Sequence, residues 1–259
     1  MISRIKNKLM RDGFFSLAIA LVKYPFQYHK RIAYRNMLNL KSQKDKFSEI
    51  YKHNLWSSTE TGSGQGSEIN YTAPFRKWLI ENIKLLKVNT LVDAPCGGFN
   101  WMKIVIPEVD LNYIGLDIVD NVIEKNRSTY GSDKIDFRVA NICEDGLPDC
   151  DIIMVRDCLF HLSYQDINNF LINLSKTNYQ YLLTTTHIVD QNFKNSNIVT
   201  GDFRIIDLFS EPFDFDLERV KDRVDDFPLG YSTKREMILV EKNFVPTDLP
   251  KLAASPNIN

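Results

Sequence analysis

Leu91-Val92-Asp93-Ala94-Pro95-Cys96-Gly97-Gly98-Phe99-Asn100-Trp101-Met102 is the stretch on which the reading of this chain turns. A short apolar run ends in a carboxylate, passes a paired-glycine turn and meets residues able to start a helix, so the pattern is strand, turn, helix. Such a turn lets the backbone approach a ligand closely, because Gly97 and Gly98 carry no Cβ. Alone, the pattern fits an ordinary strand end as well as a nucleotide-type cofactor cradle. The following strand tips the balance. Tyr113-Ile114-Gly115-Leu116-Asp117 is a second apolar run ending in an acid, about 24 residues beyond Asp93. At that spacing a doubly wound sheet places a carboxylate that accepts from both hydroxyls of a ribose.

Outward from this pair, strands and helices alternate. Strands are expected near residues 90 to 95, 112 to 117, 135 to 139, 151 to 156, 181 to 186 and 235 to 241. Helices are expected over Phe75 to Leu86, Asn100 to Ile106, Val119 to Ser128 and Ser163 to Lys176, with Pro74 in a first turn and Ser163 as an N-cap. That alternation implies an α/β sheet with crossover helices. Residues 1–54 are expected to form a basic, amphipathic helical extension, 55–245 the main domain and 246–259 a disordered tail rich in Pro and Asn.

The fourth strand delivers Arg156 and Asp157 to the carboxyl edge, where ligands of open α/β sheets sit. His161 follows four residues after Asp157, and on a helical turn the two would share a face. Asp157 could then fix the tautomer of a base that deprotonates a hydroxyl. The plain alternative is a buried helix histidine behind an Asp N-cap. His187, ending the fifth strand, is a second candidate base or an acceptor contact. Asp157, His161 and His187 could together hold a metal, but no ligand spacing requires one. The segment Trp56 to Thr72, rich in Gly and Ser, is either a linker or a lid presenting Ser63, Ser67 and Thr72, with Arg76 as a carboxylate partner. Arg204 is either an exposed loop residue or the partner of an anionic group.

A formal net charge of -1 provides no global attraction to nucleic acid, and no basic stripe crosses the main domain. Cations do dominate before residue 50, among them Arg4, Lys6, Lys8, Arg11, Lys23, Lys30, Arg31 and Arg35. The apolar run Phe14 to Val22 is far short of the roughly twenty residues that cross a bilayer, and cleavage as a signal peptide would leave too short an apolar core. These helices either cover the main domain or lie on anionic lipid or a membrane-bound partner. Cys96, Cys143, Cys150 and Cys158 show no C-x-x-C pair and fit reduced, cytoplasmic thiols.

Asp93 to Phe99 resembles the D-x-G-x-G-x-G motif of the class I S-adenosylmethionine (SAM)-dependent methyltransferases, and Asp117 matches their ribose-binding acid. More narrowly, the chain resembles a bacterial branch associated with surface-polysaccharide gene clusters. The segments that carry this are Glu60 to Ser67, Asp93 to Met102, Arg156 to Leu162 and Thr200 to Arg204. Pro95 and Phe99 stand where the superfamily has Gly, Gly98 where the branch has Asp, and Asn141 where most members have Asp. The resemblance implies a Rossmann-like, seven-stranded, mostly parallel sheet with an N-terminal helical extension, and SAM as cofactor. It implies cofactor contacts from Asp93, Pro95, Gly97, Asp117, Ile118, Asn141, Ile142, Arg156 and Arg76. On its own chemistry Asn141 either meets an adenine through its amide or only shapes a turn. Catalysis would fall to His161, Asp157 and His187, and the acceptor to Ser63, Ser67, Trp101 and Arg204. The implied reaction is O-methylation of a surface glycan or its precursor, in the cytoplasm or at the inner face of the membrane. A small-molecule or amine methyltransferase and a SAM-binding scaffold without activity are the alternatives.

Overall fold

The computed structural model describes residues 28–228 and 233–249. Seven strands form one sheet: β1 (Thr90–Asp93), β2 (Asn112–Asp117), β3 (Ile135–Val139), β4 (Ile152–Val155), β5 (Tyr181–His187), β6 (Val220–Asp225) and β7 (Arg235–Glu241). Their order is β3-β2-β1-β4-β5-β7-β6. The first five are parallel, and β7 enters antiparallel between β5 and β6, with Tyr181 opposite Glu241 and His187 opposite Arg235. The order reverses between β1 and β4, which opens a crevice at the carboxyl edge.

The sequence reading located six of these strands and missed β6. Val220-Lys221-Asp222-Arg223-Val224-Asp225 pairs on one side only, and no residue in it is fully buried. An edge strand is expected to carry charge, so apolar alternation does not announce it. By contrast β4 is buried at every position, as a central parallel strand should be.

The helices are α1 (described over residues 28–38), α2 (Gln43–Lys52), α3 (Ala73–Leu86), α4 (Met102–Val105), α5 (Asp120–Tyr130) and α6 (Tyr164–Ser175). Ser42 caps α2 and Ser163 caps α6, each side chain accepting from an amide three residues on. Strand residues divide by period two between the faces. Leu91, Ile152, Met154, Leu183 and Leu239 pack with Phe75, Leu79 and Ile83 of α3 and Ile123 of α5. Val92, Ile153, Val155, Leu182 and Ile238 pack with Ile167, Phe170, Leu171 and Leu174 of α6. The α/β layering places both chain turns of the quoted stretch at one edge.

Residues 246–249, expected to open a disordered tail, are instead packed on the domain. Leu249 is 1% exposed within the α6 core, and its amide donates to Asn168 Oδ1 at 2.7 Å. Residues 250–259, and residues 1–27 with the run Phe14 to Val22, lie outside the described residues. Among the described residues no helix is long and apolar enough to cross a membrane.

Candidate active site

A cleft opens at the carboxyl ends of β1, β2 and β4 and is lined from below by Asp93, Gly97, Asp117 and Arg156. Asp93 ends β1 and accepts from Tyr113 Oη at 2.7 Å. Asp117 ends β2; its two oxygens accept from the amides of Gly97 (3.1 Å) and Val119 (3.0 Å). This ties the glycine turn to the neighbouring strand, and Asn126 holds the same turn by donating to the Gly97 carbonyl at 2.7 Å. Burial pushes Asp93 up to about 7, against the Tyr113 hydrogen bond and the attraction of Arg156. Burial likewise pushes Asp117 up to about 6, against its backbone amides. Burial thus disfavours the ionised form of both acids, a cost that a cationic ligand beside them would offset.

Ile118, Ala140, Asn141, Ile142 and Cys143 line one end of the cleft. Asn141 Oδ1 accepts from the Cys143 amide at 3.0 Å, so this side chain closes a turn as well as facing the cleft. All four cysteines are free thiols. Burial raises those in the cleft, Cys143 to about 12 and Cys96 and Cys158 well above their ordinary value, so none is a thiolate nucleophile at neutral pH.

The roof comes from the extension, whose helices were expected either to cover the main domain or to lie on lipid, and from the start of the expected linker or lid. Gln43, Phe47 and Tyr51 of α2 stand four residues apart on one helical face and, with Trp56, line the cleft from above. That spacing and the nearby Trp56 were the available signal. Tyr51 Oη and Ser63 Oγ share a hydrogen bond of 2.7 Å, and Ser63 Oγ accepts from the Gly98 amide at 3.1 Å. A Cβ at Gly97, where φ is +54°, would stand 2.4 Å from Ser63 Oγ, so glycine here serves the close seating of the roof. The segment from Trp56 to Thr72 is pinned. Glu68 accepts from Ser58 Oγ (2.9 Å) and the Thr59 amide (3.0 Å), and Glu60 accepts from Asn100 Nδ2 at 2.8 Å. Ser63 and Ser67 reach the cleft; Thr72 is buried and donates to the Glu68 carbonyl instead.

At the far side, Asp157 and His161 both line the cleft but not as the expected pair. Asp157 has φ +54°, and the short helical turn Leu159–His161 starts only after it. Its carboxylate meets Arg235 (2.8 Å) and Arg156 (3.3 Å). Burial pushes this group up, but the two guanidinium groups outweigh it and hold Asp157 below its ordinary value. Arg156 also pairs with buried Asp226 at 2.9 Å and lies over the Trp101 ring. His161 Nδ1 lies 2.8 Å from the main-chain oxygen of Asp202, so a carbonyl fixes the tautomer that Asp157 was expected to fix. The ring stacks on Trp56 with centroids 4.8 Å apart. Burial lowers His161 to about 4, against the Asp202 hydrogen bond and the Asp157 charge, leaving a neutral imidazole at pH 7.

Three expected contacts fall away. His187 does not line the cleft: its Nδ1 engages the backbone of Ile206 at 3.2 Å, and Phe160 contacts both its ring and that of His161. Arg204 is neither exposed nor in the cleft; it is 5% exposed, with its guanidinium over the Tyr164 ring. Arg76 turns to the Ile69 carbonyl at 3.0 Å, leaving Arg156 as the guanidinium that reaches the cleft. Pro95 and Trp101 do line it. Among the described residues no group of His, Cys, Asp and Glu side chains gathers as a metal site.

No family model matches this sequence, and no curated protein matches it. Solved structures do share its architecture. One is a SAM-dependent methyltransferase from Leishmania major, 13% identical with a TM-score of 0.53, the match covering 77% of this chain and 83% of that one. Another is human N-acetylserotonin methyltransferase in complex with SAM, 12% identical with a TM-score of 0.51, over 90% of this chain and 69% of that one. This chain therefore has the fold of the SAM-dependent methyltransferases, a Rossmann-like seven-stranded sheet.

Proposed function

We propose that this chain is a SAM-dependent methyltransferase that methylates a hydroxyl, on a bacterial surface glycan or on its nucleotide-linked or phosphorylated precursor. The observation that carries the reading is one cleft holding two buried carboxylates at adjacent strand ends together with a neutral histidine. The residues fit the cofactor. Asp117 keeps lone pairs for the ribose diol beyond those used by its amides, and Ile118, Ala140 and Ile142 give apolar contact for a purine. When bound, SAM supplies an electrophilic methyl on a sulfonium centre. The Asp202 carbonyl keeps the proton of His161 on Nδ1, so Nε2 carries the lone pair that accepts the proton of the acceptor hydroxyl. The roof of Phe47, Tyr51 and Trp56 excludes water and holds the reactants in line, which supplies most of the acceleration in such a displacement.

The glycan assignment draws on the resemblance of the four quoted segments, with Trp101 and Ser67 in the cleft lining as acceptor contacts. In this reading the enzyme works in the cytoplasm, and its basic residues before position 28 lean on an anionic membrane surface. Equal flotation with anionic liposomes after removal of residues 1–27 would dismiss the membrane contact. The cofactor is tested by calorimetric titration of SAM and S-adenosylhomocysteine into the full chain, with Asp117→Ala beside it. Saturable binding weakened in the variant supports the reading. No binding to folded protein would leave a scaffold without cofactor.

A further inference from the structure

We propose that Tyr34, on α1 and outside the cleft lining, is a positioning residue for the His161 imidazole, acting through Asp202. The importance of this for turnover rests on His161 being the base; the positioning itself does not. Once Nδ1 is on the Asp202 main-chain oxygen, the ring can point its other nitrogen only where that carbonyl allows. Asp202 belongs to an irregular stretch after β5, so no sheet ladder fixes its carbonyl. Local bonds hold it to the base: the Gly201 amide donates to the His161 carbonyl at 2.8 Å and the Arg204 amide to the Phe160 carbonyl at 3.2 Å.

The Thr200 hydroxyl accepts from the Ser163 amide at 2.8 Å and donates to Asp166 of α6, and further tethers come from the N-terminal helices. Tyr34 Oη donates to Asp202 Oδ1 in a short hydrogen bond, and the same oxygen accepts from the Phe203 amide at 2.8 Å. Lys46 of α2, 6% exposed, donates to the Thr200 carbonyl at 3.1 Å. Met37 of α1 packs so closely on Gly201, at φ +98°, that a Cβ there would lie 2.9 Å from its Sδ. Three consecutive residues, Thr200, Gly201 and Asp202, are therefore gripped by α1 and α2. Of these grips only Tyr34 reaches the residue whose carbonyl holds the imidazole. A helix that touches no ligand thus sets the tautomer and aim of His161.

The test is long-range 1H–15N NMR of the histidine rings in the full chain, where the four histidines are separable. His161→Gln identifies the His161 signals. Tyr34→Phe keeps the ring and removes only the hydroxyl. The expected result is a shift of about fivefold in the His161 tautomer ratio, the effect of loosening one ordinary hydrogen bond. Asp202→Ala should reproduce it, whereas Asp202→Asn, which keeps an acceptor oxygen for Tyr34 and Phe203, should preserve the wild-type ratio. Wild-type ring signals in both Tyr34→Phe and Asp202→Ala would overturn the proposal. Undiminished methyl transfer by His161→Ala would remove the base reading alone and leave the tautomer result standing.

Discussion

On the floor of the cleft, Asp93 and Asp117 end two paired strands and are held by Tyr113 and by main-chain amides. The roof is a single helical face, Gln43, Phe47 and Tyr51, latched to the glycine turn by one serine. The floor is thus continuous with the hydrophobic core through its strands, while the roof is a layer of helix and loop laid on the sheet edge, with Phe47 resting against the α6 side of that core. The contrast teaches that the two sides of the cleft are held by different means, strand ends and main-chain amides below and side-chain contacts above.

The largest expected effect tests the chemistry between the two. His161→Ala should lower turnover by about a hundredfold or more, the usual worth of a positioned base, while SAM affinity stays near wild type; equal losses in both would show that the histidine belongs to the cofactor site. Next, Asp117→Ala should weaken SAM by up to about a hundredfold, as two charge-assisted contacts are lost, with a fall in stability of about 1–3 kcal/mol as the Gly97 and Val119 amides lose their acceptor. A collapse of the melting transition would mean the floor is structural first. In the roof, Phe47→Ala should cost roughly tenfold in SAM affinity by calorimetry and about 2 kcal/mol in urea unfolding, because the ring lines the cleft and also rests against the core. A smaller effect concerns pH. With His161 lowered to about 4, kcat at saturating SAM should stay level on acidification to about pH 5 and fall only below that. An inflection near the ordinary 6.5 would show the base to be solvated.

Stability should follow pH by opposing contributions. His161 and His187, both lowered to about 4, contribute stability that is present above 6.5 and lost as pH falls toward 4. Asp93 and Asp117 act the other way, their contribution being complete below 3.8 and lost as pH rises through about 7 and about 6. Between pH 4 and 6.5 these partly cancel, and Asp93→Asn should make the acid loss of stability steeper, as urea titrations at several pH values would register.

The floor was legible because its residues obey strong local rules: apolar runs, terminal acids and a glycine turn. The site beyond it was less so. A positive φ at Asp157 cannot be read from an aspartate, so the expected helical turn from Asp157 to His161 had no warning against it. Arg76 and Arg204 looked like ligand partners because a guanidinium pairs well with a carboxylate or phosphate, yet one turns to a backbone carbonyl and the other onto an aromatic ring. The basic residues of α2 drew attention to its outer face and hid the row of Gln43, Phe47 and Tyr51. The tether from Tyr34 to Asp202 joins residues 168 positions apart, which no local pattern encodes.

On the proposed reading, the two buried carboxylates on the floor would make cofactor uptake a proton-exchange event. A sulfonium in the cleft would favour the ionised form of Asp93, which burial raises to about 7, and so expel a proton to solvent. The demethylated product lacks that cationic centre and calls for no such release. Apparent binding enthalpies for SAM should therefore vary with the ionisation heat of the buffer, while those for S-adenosylhomocysteine vary less, and mild alkalinity should favour the loaded cofactor over the spent one.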